Sequence, residues 1–462
     1  MSNLALDQAV YQKYIAPTAR PRTPAVGVEL EFPVVNLTGG PADFSLIHRV
    51  TEAFVIRFGF GDQKLDDEGN IYAAVDEETG DCLSFDCSYN TLELSFGKET
   101  DIGVIDGRFR TYYSFLQERL LREHHTLTGM GINPGWRVNR HQPVPNGRYR
   151  MLLHHLSSYP AYGDAIPFHS HPDFGLFACA SQVQLDVETK DIVSTLHTFS
   201  KLEPYKSLLF ANSLFDADGG WLLVRDWFWR ESVHGLNRKN VDYYDDTIQT
   251  LPELTDYIEQ TSIFCAERDG RYLNFTPTPL KQYIETDAME GAFFENGAYH
   301  TTIFHPCLED LAYLRSYKLE DLTHRGTIEY RSVCQQPVRQ VMAAAAFHAG
   351  LAEVPEQVRD FLTADHALYG HGRTTAELRD QINRRGLPDW ADRKAVSNAM
   401  LELLELARAG LERRGRGEAR FLEPLYPRAE QLLSPAQELR DALKSGKTME
   451  TMIRRYADLT GS

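Results

Sequence analysis

Four segments of the chain alternate polar and apolar residues with the two-residue period of a β-strand. They cover residues 26–35, 90–96, 180–187 and 327–333, and a shorter apolar run at 220–224 is a fifth strand candidate. On a strand, residues i and i+2 point to the same face of the sheet. Each of the four segments therefore predicts a strand with one apolar face and one polar face.

Helical spacing of apolar residues dominates the rest of the chain. Residues 106–127 and 191–209 predict two helices, and residues 341–462 predict an almost continuous helical region. Breaks in that region are expected at Gly386, at Gly415 and at the Ser434-Pro435 pair, which is typical of a helix start. Strands and helices are unevenly interleaved, which favours an α+β fold over a doubly wound parallel sheet.

The polar faces of the four strands carry an unusual set of side chains. Going along the chain, the same-face pairs are Glu29 and Glu31, Glu93 and Ser95, Gln182 and Gln184, and Glu329 and Arg331. A half-exposed antiparallel sheet with its polar face in water is the plain explanation of any one pair. However, Thr and Lys, which are common on a solvated strand, are scarce here, whereas Glu and Gln are frequent.

Crowded carboxylates repel one another, so without a counter-charge one of them would be protonated. A divalent cation removes this conflict, because Mg²⁺ prefers hard oxygen ligands. Asp86 precedes Glu93 by seven residues and could reach the same place from the end of the strand. The pattern therefore indicates a metal site on the polar face of the sheet.

Composition narrows the class of protein. The 462 residues carry a formal net charge of −17, which argues against nucleic acid and anionic membranes as partners. Six cysteines without a CxxC pair predict a reduced, cytoplasmic protein. The first residues show no signal peptide, and the apolar stretch at 341–351 is too short to span a bilayer, so we expect a soluble protein. The oligomeric state is left open.

Six motifs in order make the chain similar to the glutamate–cysteine ligase family over residues 25–340. They are GVELEF at 27–32, the Asp86–Glu93 pair ending in LELS, GINPGW…PNGRYRML from 131 to 152, SQVQLD at 181–186, LLFANSLF at 208–215, and IEYRS at 328–332, with VRDWFWR at 224–230 as a further likeness. Each motif alone is weak, whereas their order over 300 residues is specific.

The resemblance implies a glutamine synthetase-like catalytic region at 1–340, in which a curved antiparallel sheet forms an active-site funnel. Residues 341–462 would be a helical region packed on it. The metal ligands, for Mg²⁺ or Mn²⁺, would be Glu29, Glu31, Asp86, Glu93, Gln182 and Glu329.

The resemblance also implies roles for the remaining site residues. Arg331, with Glu329, would be catalytic and would contact the transferred phosphoryl group. The nucleotide would contact Arg225, Asn212 and Trp229, and the substrate Arg148, Gln184 and Tyr330. Packing explains Asn212 and Trp229 equally well.

The implied activity is an ADP-forming ligation in the biosynthesis of glutathione. The γ-carboxylate of glutamate would take the γ-phosphate of ATP, and an amine, in the first place that of cysteine, would displace phosphate. Two departures leave the acceptor open, because DCSYNT at 86–91 replaces a Gly-rich EPGGQ stretch and YRSVCQQ at 330–336 replaces a VRGAD-like stretch. A γ-glutamyl ligase for another amine, or a non-catalytic relative that binds nucleotide or amino acid, are the alternatives.

Overall fold

The computed structural model describes residues 3–163, 166–216 and 220–460. The strands of this part of the chain are Val26–Asn36 (β1), Asp62–Leu65 (β2), Ile71–Val75 (β3), Cys82–Phe85 (β4), Thr91–Glu99 (β5), His125–Leu127 (β6), Ser181–Asp186 (β7), Val241–Asp242 (β8), Ser262–Arg268 (β9), Arg271–Pro279 (β10), Met289–Glu295 (β11), Ala298–Phe304 (β12), Tyr317–Lys318 (β13), Glu320–Leu322 (β14) and Thr327–Tyr330 (β15).

The α-helices are Asn3–Val10 (α1), Phe44–Phe58 (α2), Ile102–Arg122 (α3), Gly147–Leu156 (α4), Ile192–Phe210 (α5), Arg225–Arg230 (α6), Leu251–Glu259 (α7), Leu280–Glu285 (α8), Ala343–Ala352 (α9), Pro355–Ala364 (α10), Thr375–Arg385 (α11), Arg393–Arg414 (α12), Leu425–Gln431 (α13), Pro435–Lys444 (α14) and Met449–Ala457 (α15). No helix within the described ranges is both long and apolar enough to cross a membrane.

The main sheet has the strand order β14-β15-β7-β1-β5-β4-β3-β2, and β6 pairs with β1 as well. In the centre of this sheet, β15 pairs with β7, β7 with β1, and β1 with β5, and all three pairs are antiparallel. The predicted α+β class, with an antiparallel sheet and a helical C-terminal region, is therefore confirmed. The strand order also makes neighbours of the four segments whose polar faces stood out in the sequence.

Helices cover the apolar face of the main sheet. Phe32 on β1 contacts Phe109 and Tyr113 on α3, with ring centroids 5.8 and 5.6 Å apart. Tyr330 on β15 contacts Phe199 on α5 at 4.6 Å and His348 on α9 at 4.5 Å. Burial of this face leaves the opposite face of the same strands to line a cavity.

A β-bulge interrupts the register of β1 and β5. Val28 pairs with Phe96, whereas Val26 pairs with Glu99, so β5 carries one residue more than β1 over this interval. Gly97 lies in the bulge, and a Cβ atom there would stand 1.9 Å from the carbonyl oxygen of Thr79. Only glycine therefore allows the loop before β4 to pass this close.

Two predicted elements are wrong in part. The helix expected at 106–127 begins earlier, at Ile102, where the Asp101 side chain accepts a hydrogen bond from Gly103 N and caps it. It ends at Arg122, and His125–Leu127 forms strand β6 against β1 instead. The strand expected at 220–224 forms only isolated bridges, Phe215 to Trp221 and Ser213 to Leu223. This run is apolar because it is buried, not because it belongs to a sheet.

The C-terminal helices follow the predicted punctuation. Helix α11 ends before Gly386, α12 ends before Gly415 in a left-handed conformation with φ of 69°, and Ser434 caps α14 through a capping box. Helices α9 and α12 cross closely, since a Cβ atom on Gly350 would lie 2.2 Å from the carbonyl oxygen of Ala407. Helix α12 thus packs on α9, and α9 packs on strand β7 of the main sheet.

A buried ionic network lies behind the sheet. Glu203 on α5 accepts hydrogen bonds from Lys206 and from Ser332 Oγ, the latter at 2.8 Å, and it pairs with Arg379 on α11. Arg379 also pairs with Asp226 at 2.6 Å. Because Ser332 follows Arg331 and Asp226 follows Arg225, the network anchors the backbone next to two arginines of the polar face.

Candidate functional site

The strand register brings the predicted acidic side chains together. Glu31 lies directly opposite Glu93 across β1 and β5, and Glu29 lies opposite Ser95 on one side and Gln182 on the other. On the next pair of strands, Glu329 lies opposite Gln184. Directly opposed side chains on one face lie about 4.5–5.5 Å apart at Cβ. The alternation in the sequence thus produces a row of carboxylates and amides across four strands.

Glutamine side chains separate the carboxylates and hold them. Gln184 Nε2 donates to Glu29 Oε1 at 2.7 Å and to Glu329 Oε1 at 2.9 Å. The other oxygen of Glu329 accepts a hydrogen bond from Arg331 at 2.5 Å. Both Glu329 and its arginine are therefore oriented from β15 and from the residue that follows it.

A second group forms around Glu31. Its two oxygens accept hydrogen bonds from Ala180 N at 2.5 Å and from Gln182 Nε2 at 2.8 Å. The Gln182 side chain is only 6% exposed, and its Oε1 is buried without a hydrogen-bond partner in the described part of the chain. A buried acceptor oxygen beside carboxylates is a position that a cation would satisfy.

Electrostatics confirm that the acidic row carries more negative charge than the protein alone compensates. Burial, together with the charges of Glu329 and Glu93, raises the pKa of Glu29 to about 8. Burial and the charge of Asp86 raise the pKa of Glu31 to about 8, and burial with Asp86 and Glu31 does the same for Glu93. Without a bound cation, several of these groups are protonated near neutral pH.

Arginines surround Asp86 at the end of the row. Burial raises the pKa of the Asp86 carboxyl, and four guanidinium groups oppose that shift, those of Arg148, Arg331, Arg225 and Arg315. Arg225 is held by backbone carbonyls, those of Ser332, Val333 and Arg331, at 3.2 to 3.4 Å. Arginines and carboxylates therefore meet around Asp86, which also acts on Glu31 and Glu93.

These side chains line one cavity of about 550 Å³. Its lining includes Arg148, Arg225 and Arg331 as well as the carboxylates and the amide of Glu29, Glu31, Asp86, Glu93, Glu329 and Gln182. Trp229 also lines it and stacks on Tyr317 with ring centroids 3.5 Å apart and planes at 17°. A volume of this size accommodates a ligand of several hundred daltons.

Three of the predicted residues do not line the cavity. Gln184, expected to bind substrate, instead donates hydrogen bonds to Glu29 and Glu329, the carboxylates that do line it. Tyr330, expected to bind substrate, faces the other side of the sheet and is 1% exposed among Phe199 and His348, because its neighbours Glu329 and Arg331 take the cavity side. Asn212, expected to bind nucleotide, is buried and donates to the carbonyl oxygens of Gly129 and Gln335, both at 2.7 Å. Tyr330 and Asn212 therefore have packing roles, and the binding roles predicted for them are wrong.

Several cavity residues carry no pattern that the sequence could reveal. Lys13 and Tyr14 come from the N-terminal segment, and Arg315, Lys318 and Arg325 come from the irregular stretch around β13 and β14. None of them belongs to an alternating segment or to a recognised motif. One signal in the sequence could have indicated the last three of these residues. Three basic residues, at 315, 318 and 325, come shortly before the IEYRS motif.

The side chains of the acidic row offer donor atoms for a divalent metal. Within the described ranges, no three His, Cys, Asp or Glu side chains converge closely enough to hold one ion as they stand. The available atoms are nevertheless carboxylate oxygens and one unpartnered amide oxygen, with no thiolate or imidazole bonded to them. Such a set fits Mg²⁺ or Mn²⁺ in its chemistry, with ligands spread over neighbouring strands.

The model of the family described as glutamate-cysteine ligase family 2 matches residues 25–458. The chain is similar to the chloroplastic glutamate–cysteine ligases of Brassica juncea and Arabidopsis thaliana. It is 26% identical to the first over 324 residues, which cover 67% of this chain and 57% of the relative. It is 25% identical to the second over 323 residues, which cover 67% and 56%.

The alignment thus spans little more than half of the length of these relatives. Among solved structures, the glutamate–cysteine ligase of Francisella tularensis in complex with AMP matches 94% of this chain and 88% of its own, with a TM-score of 0.46 and 12% identity.

Proposed function

Because the chain belongs to glutamate–cysteine ligase family 2, as the match over residues 25–458 shows, we propose that it is an ATP-dependent ligase. It joins the γ-carboxylate of glutamate to an amine and forms ADP and phosphate. Cysteine is the first acceptor to test, which would place the reaction in glutathione biosynthesis. ATP is the co-substrate, and the remaining substrates are small molecules.

One observation supports this proposal above the others: a row of buried carboxylates and a group of arginines line the same cavity. A nucleotide triphosphate needs cations along its phosphates, and carboxylates hold those cations. Glutamate is an anion and needs arginines or lysines. A cavity lined by both carboxylates and arginines accommodates both reactants side by side, which transfer of a phosphoryl group between them requires.

For the metal, the candidate ligands are Glu29, Glu31, Asp86, Glu93, Gln182 and Glu329. Bound there, Mg²⁺ or Mn²⁺ would neutralise phosphate charge and keep attacking and leaving oxygens in line. The two glutamines act on the protein side: Gln184 orients Glu29 and Glu329, and Gln182 orients Glu31.

The proposed reaction has two steps. An oxygen of the glutamate γ-carboxylate attacks the γ-phosphorus of ATP, the bond to the β-phosphate oxygen breaks, and γ-glutamyl phosphate and ADP form. The amine nitrogen then attacks the acyl carbon, phosphate leaves, and the nitrogen loses one proton. Arg331, held by Glu329 at 2.5 Å, would stabilise the charge on the transferred phosphoryl oxygens. Arg148 and Arg225 would bind carboxylate or phosphate, and Trp229 would form the wall against the nucleotide or the amino acid.

The experiment that tests the function is a panel of amines. The purified protein is given ATP, Mg²⁺ and glutamate with cysteine, with other amino acids and with simple amines, and ADP release and product mass are measured. We expect amine-dependent ADP release with a γ-glutamyl product. The Glu29→Gln protein is the background control. Absence of amine-dependent ATP turnover, with nucleotide binding retained, would contradict a catalytic role.

The panel also decides the acceptor, for which the DCSYNT loop at 86–91 leaves a second candidate. A larger product yield with an amine other than cysteine would identify a γ-glutamyl ligase of different specificity.

A further inference from the structure

A segment outside the family match contributes to the wall of the main cavity. Helix α1 at Asn3–Val10 continues as a π-helix at Tyr11–Ile15 and a 3₁₀ turn at Ala16–Thr18, whereas the match begins at residue 25. Leu6, Val10 and Ile15 are at most 1% exposed, so the segment is packed firmly on the body of the protein. From this segment, Lys13 and Tyr14 line the cavity.

The Lys13 ammonium group is placed by the backbone opposite it. Its Nζ donates to the carbonyl oxygen of Leu311 at 2.5 Å, and Arg315, four residues further along the chain, lines the same cavity. Burial and the charge of Arg315 lower the pKa of Lys13 to about 8, against the opposing charge of Asp321. The group is still mostly protonated at neutral pH, and its charge and that of Arg315 repel each other.

Neither cation is compensated by an ion pair within the described residues. The salt bridges of this part of the chain include neither Lys13 nor Arg315, whereas Arg325 and Arg331 both pair with Glu329. An ammonium group has three donors, and the Leu311 carbonyl takes one of them. The Arg315 guanidinium has five donors, and its side-chain partner is the Cys265 thiol. Two donors of Lys13 and further donors of Arg315 therefore remain for a ligand.

We propose that Lys13 and Arg315 form an oxyanion-binding subsite at the wall of the cavity, which holds a carboxylate or a phosphate group of a substrate. The proposal rests on the proposed function, since it assigns the subsite to one of the reactants of that ligation. An oxyanion between the two cations would replace their mutual repulsion by charge-assisted hydrogen bonds. Because Lys13 precedes the family match, this part of the subsite is supplied by the N-terminal segment.

Two kinds of reactant carry the required group. One is an amino acid, through the α-carboxylate of the acceptor or of glutamate, and the other is the nucleotide, through a phosphate. The KM values for ATP, glutamate and the acceptor distinguish the two, because only the KM of the reactant bound by the subsite should change in a Lys13 variant. Cysteine and cysteamine separate them further, because they differ only in the carboxylate.

The test compares Lys13→Met and Lys13→Arg with Gln12→Met, a matched control at the exposed neighbouring position of the same helix. We expect Lys13→Met to raise KM for one substrate about tenfold, as the loss of a charged hydrogen bond does, with kcat within about twofold of wild type. Lys13→Arg should restore KM to within about threefold because it keeps the charge. If the substrate is the acceptor, Lys13→Met should also lower the preference for cysteine over cysteamine about tenfold.

Calorimetric titration of the same proteins with ADP and with glutamate gives a readout that needs no turnover. If wild type catalyses no ligation, the proposed function fails, but weaker binding of ADP or glutamate by Lys13→Met alone still supports the subsite. Unchanged KM values and unchanged binding in Lys13→Met would overturn it. Equal losses in Lys13→Met and Gln12→Met would also overturn it, because they would indicate only that the segment had lost its packing.

Discussion

Glu29 and Glu329 accept hydrogen bonds from the same amide nitrogen, that of Gln184, at 2.7 and 2.9 Å. The two carboxylates lie on β1 and β15, with β7 and its glutamine between them. Burial and the charges of Glu329 and Glu93 raise the pKa of Glu29 to about 8, and they outweigh Arg331, which binds Glu329 and lowers that pKa. The pair can thus accept a further positive partner.

Neutralising either member of this pair should stop catalysis. We expect Glu29→Gln and Glu329→Gln to lower kcat at least about 100-fold, because an amide is a much weaker ligand for Mg²⁺ than a carboxylate. Steady-state ADP release measures the effect, and circular dichroism checks the fold. Glu99→Gln is the control, since Glu99 ends β5 and pairs with Arg108 at 2.6 Å instead of lining the cavity. Wild-type rates in the two site variants would refute the metal assignment.

Gln182 offers a test of the metal that leaves the carboxylates in place. Its Oε1 is buried and unpartnered within the described residues. Replacement by leucine should raise the Mg²⁺ concentration for half-maximal rate about tenfold, in the range found for residues that hold or orient metal ligands. Gln142→Leu, at an exposed position, should leave the Mg²⁺ dependence unchanged. An equal Mg²⁺ dependence in both variants would exclude Gln182 from the site.

Truncation of Tyr330 should lower the stability of the fold, whereas truncation of Trp229 should weaken substrate binding. Tyr330 lies in the core, so Tyr330→Ala should lower the free energy of unfolding by about 3–5 kcal/mol, and Tyr330→Phe should leave KM within about twofold of wild type. Trp229 lines the cavity and stacks on Tyr317, so Trp229→Ala should raise KM for ATP or glutamate. Urea unfolding and substrate titrations measure the two effects. A raised KM in Tyr330→Phe would return Tyr330 to the site.

The buried Glu203 should make the free energy of unfolding depend on pH. Burial by itself would raise its pKa, but Arg379 and Lys206 outweigh burial and lower the pKa of Glu203 to about 2, against an ordinary value of 4.5. A lowered carboxyl pKa stabilises the fold above pH 4.5, and this contribution is lost as the pH falls towards 2. Glu203→Gln should therefore cost about 3–5 kcal/mol at pH 7, since it removes the carboxylate that the buried Lys206 and Arg379 share and leaves them only Glu320 and Asp226.

The same loss should shrink as the pH falls below 4.5, which urea unfolding at a series of pH values would record. Glu118→Gln is the matched control, because Glu118 pairs with Arg122 on the surface with 60% of its side chain exposed. That pair should contribute less than about 1 kcal/mol. A difference at Glu203 that stayed constant with pH would contradict the lowered pKa.

The polar row could be predicted because it depends on local geometry. Alternation along one strand determines which side chains share a face, so Glu29 and Glu31 were identified as neighbours without any knowledge of the sheet. The strand order around them could not be predicted, since pairing of β7 with both β1 and β15 depends on contacts more than a hundred residues apart.

Tyr330 shows where a family likeness and a local pattern disagreed. The alternation placed it with the apolar residues, whereas its place in the IEYRS motif suggested contact with substrate. The structure agrees with the alternation. Lys13 and Arg315 could not be predicted at all, because no periodicity marks them and only the docking of separate segments brings them to the cavity.

The bulge at Gly97 has a consequence for how this protein can change over evolution. A residue inserted or deleted between Leu92 and Ser95 would shift the register of β5 by one position. The Glu93 side chain would then point into the apolar core behind the sheet. Beside Gly97 the strand already contains one unmatched residue. Length changes in this strand should therefore survive selection only near its bulged end, whereas the acidic half should diverge by substitution alone.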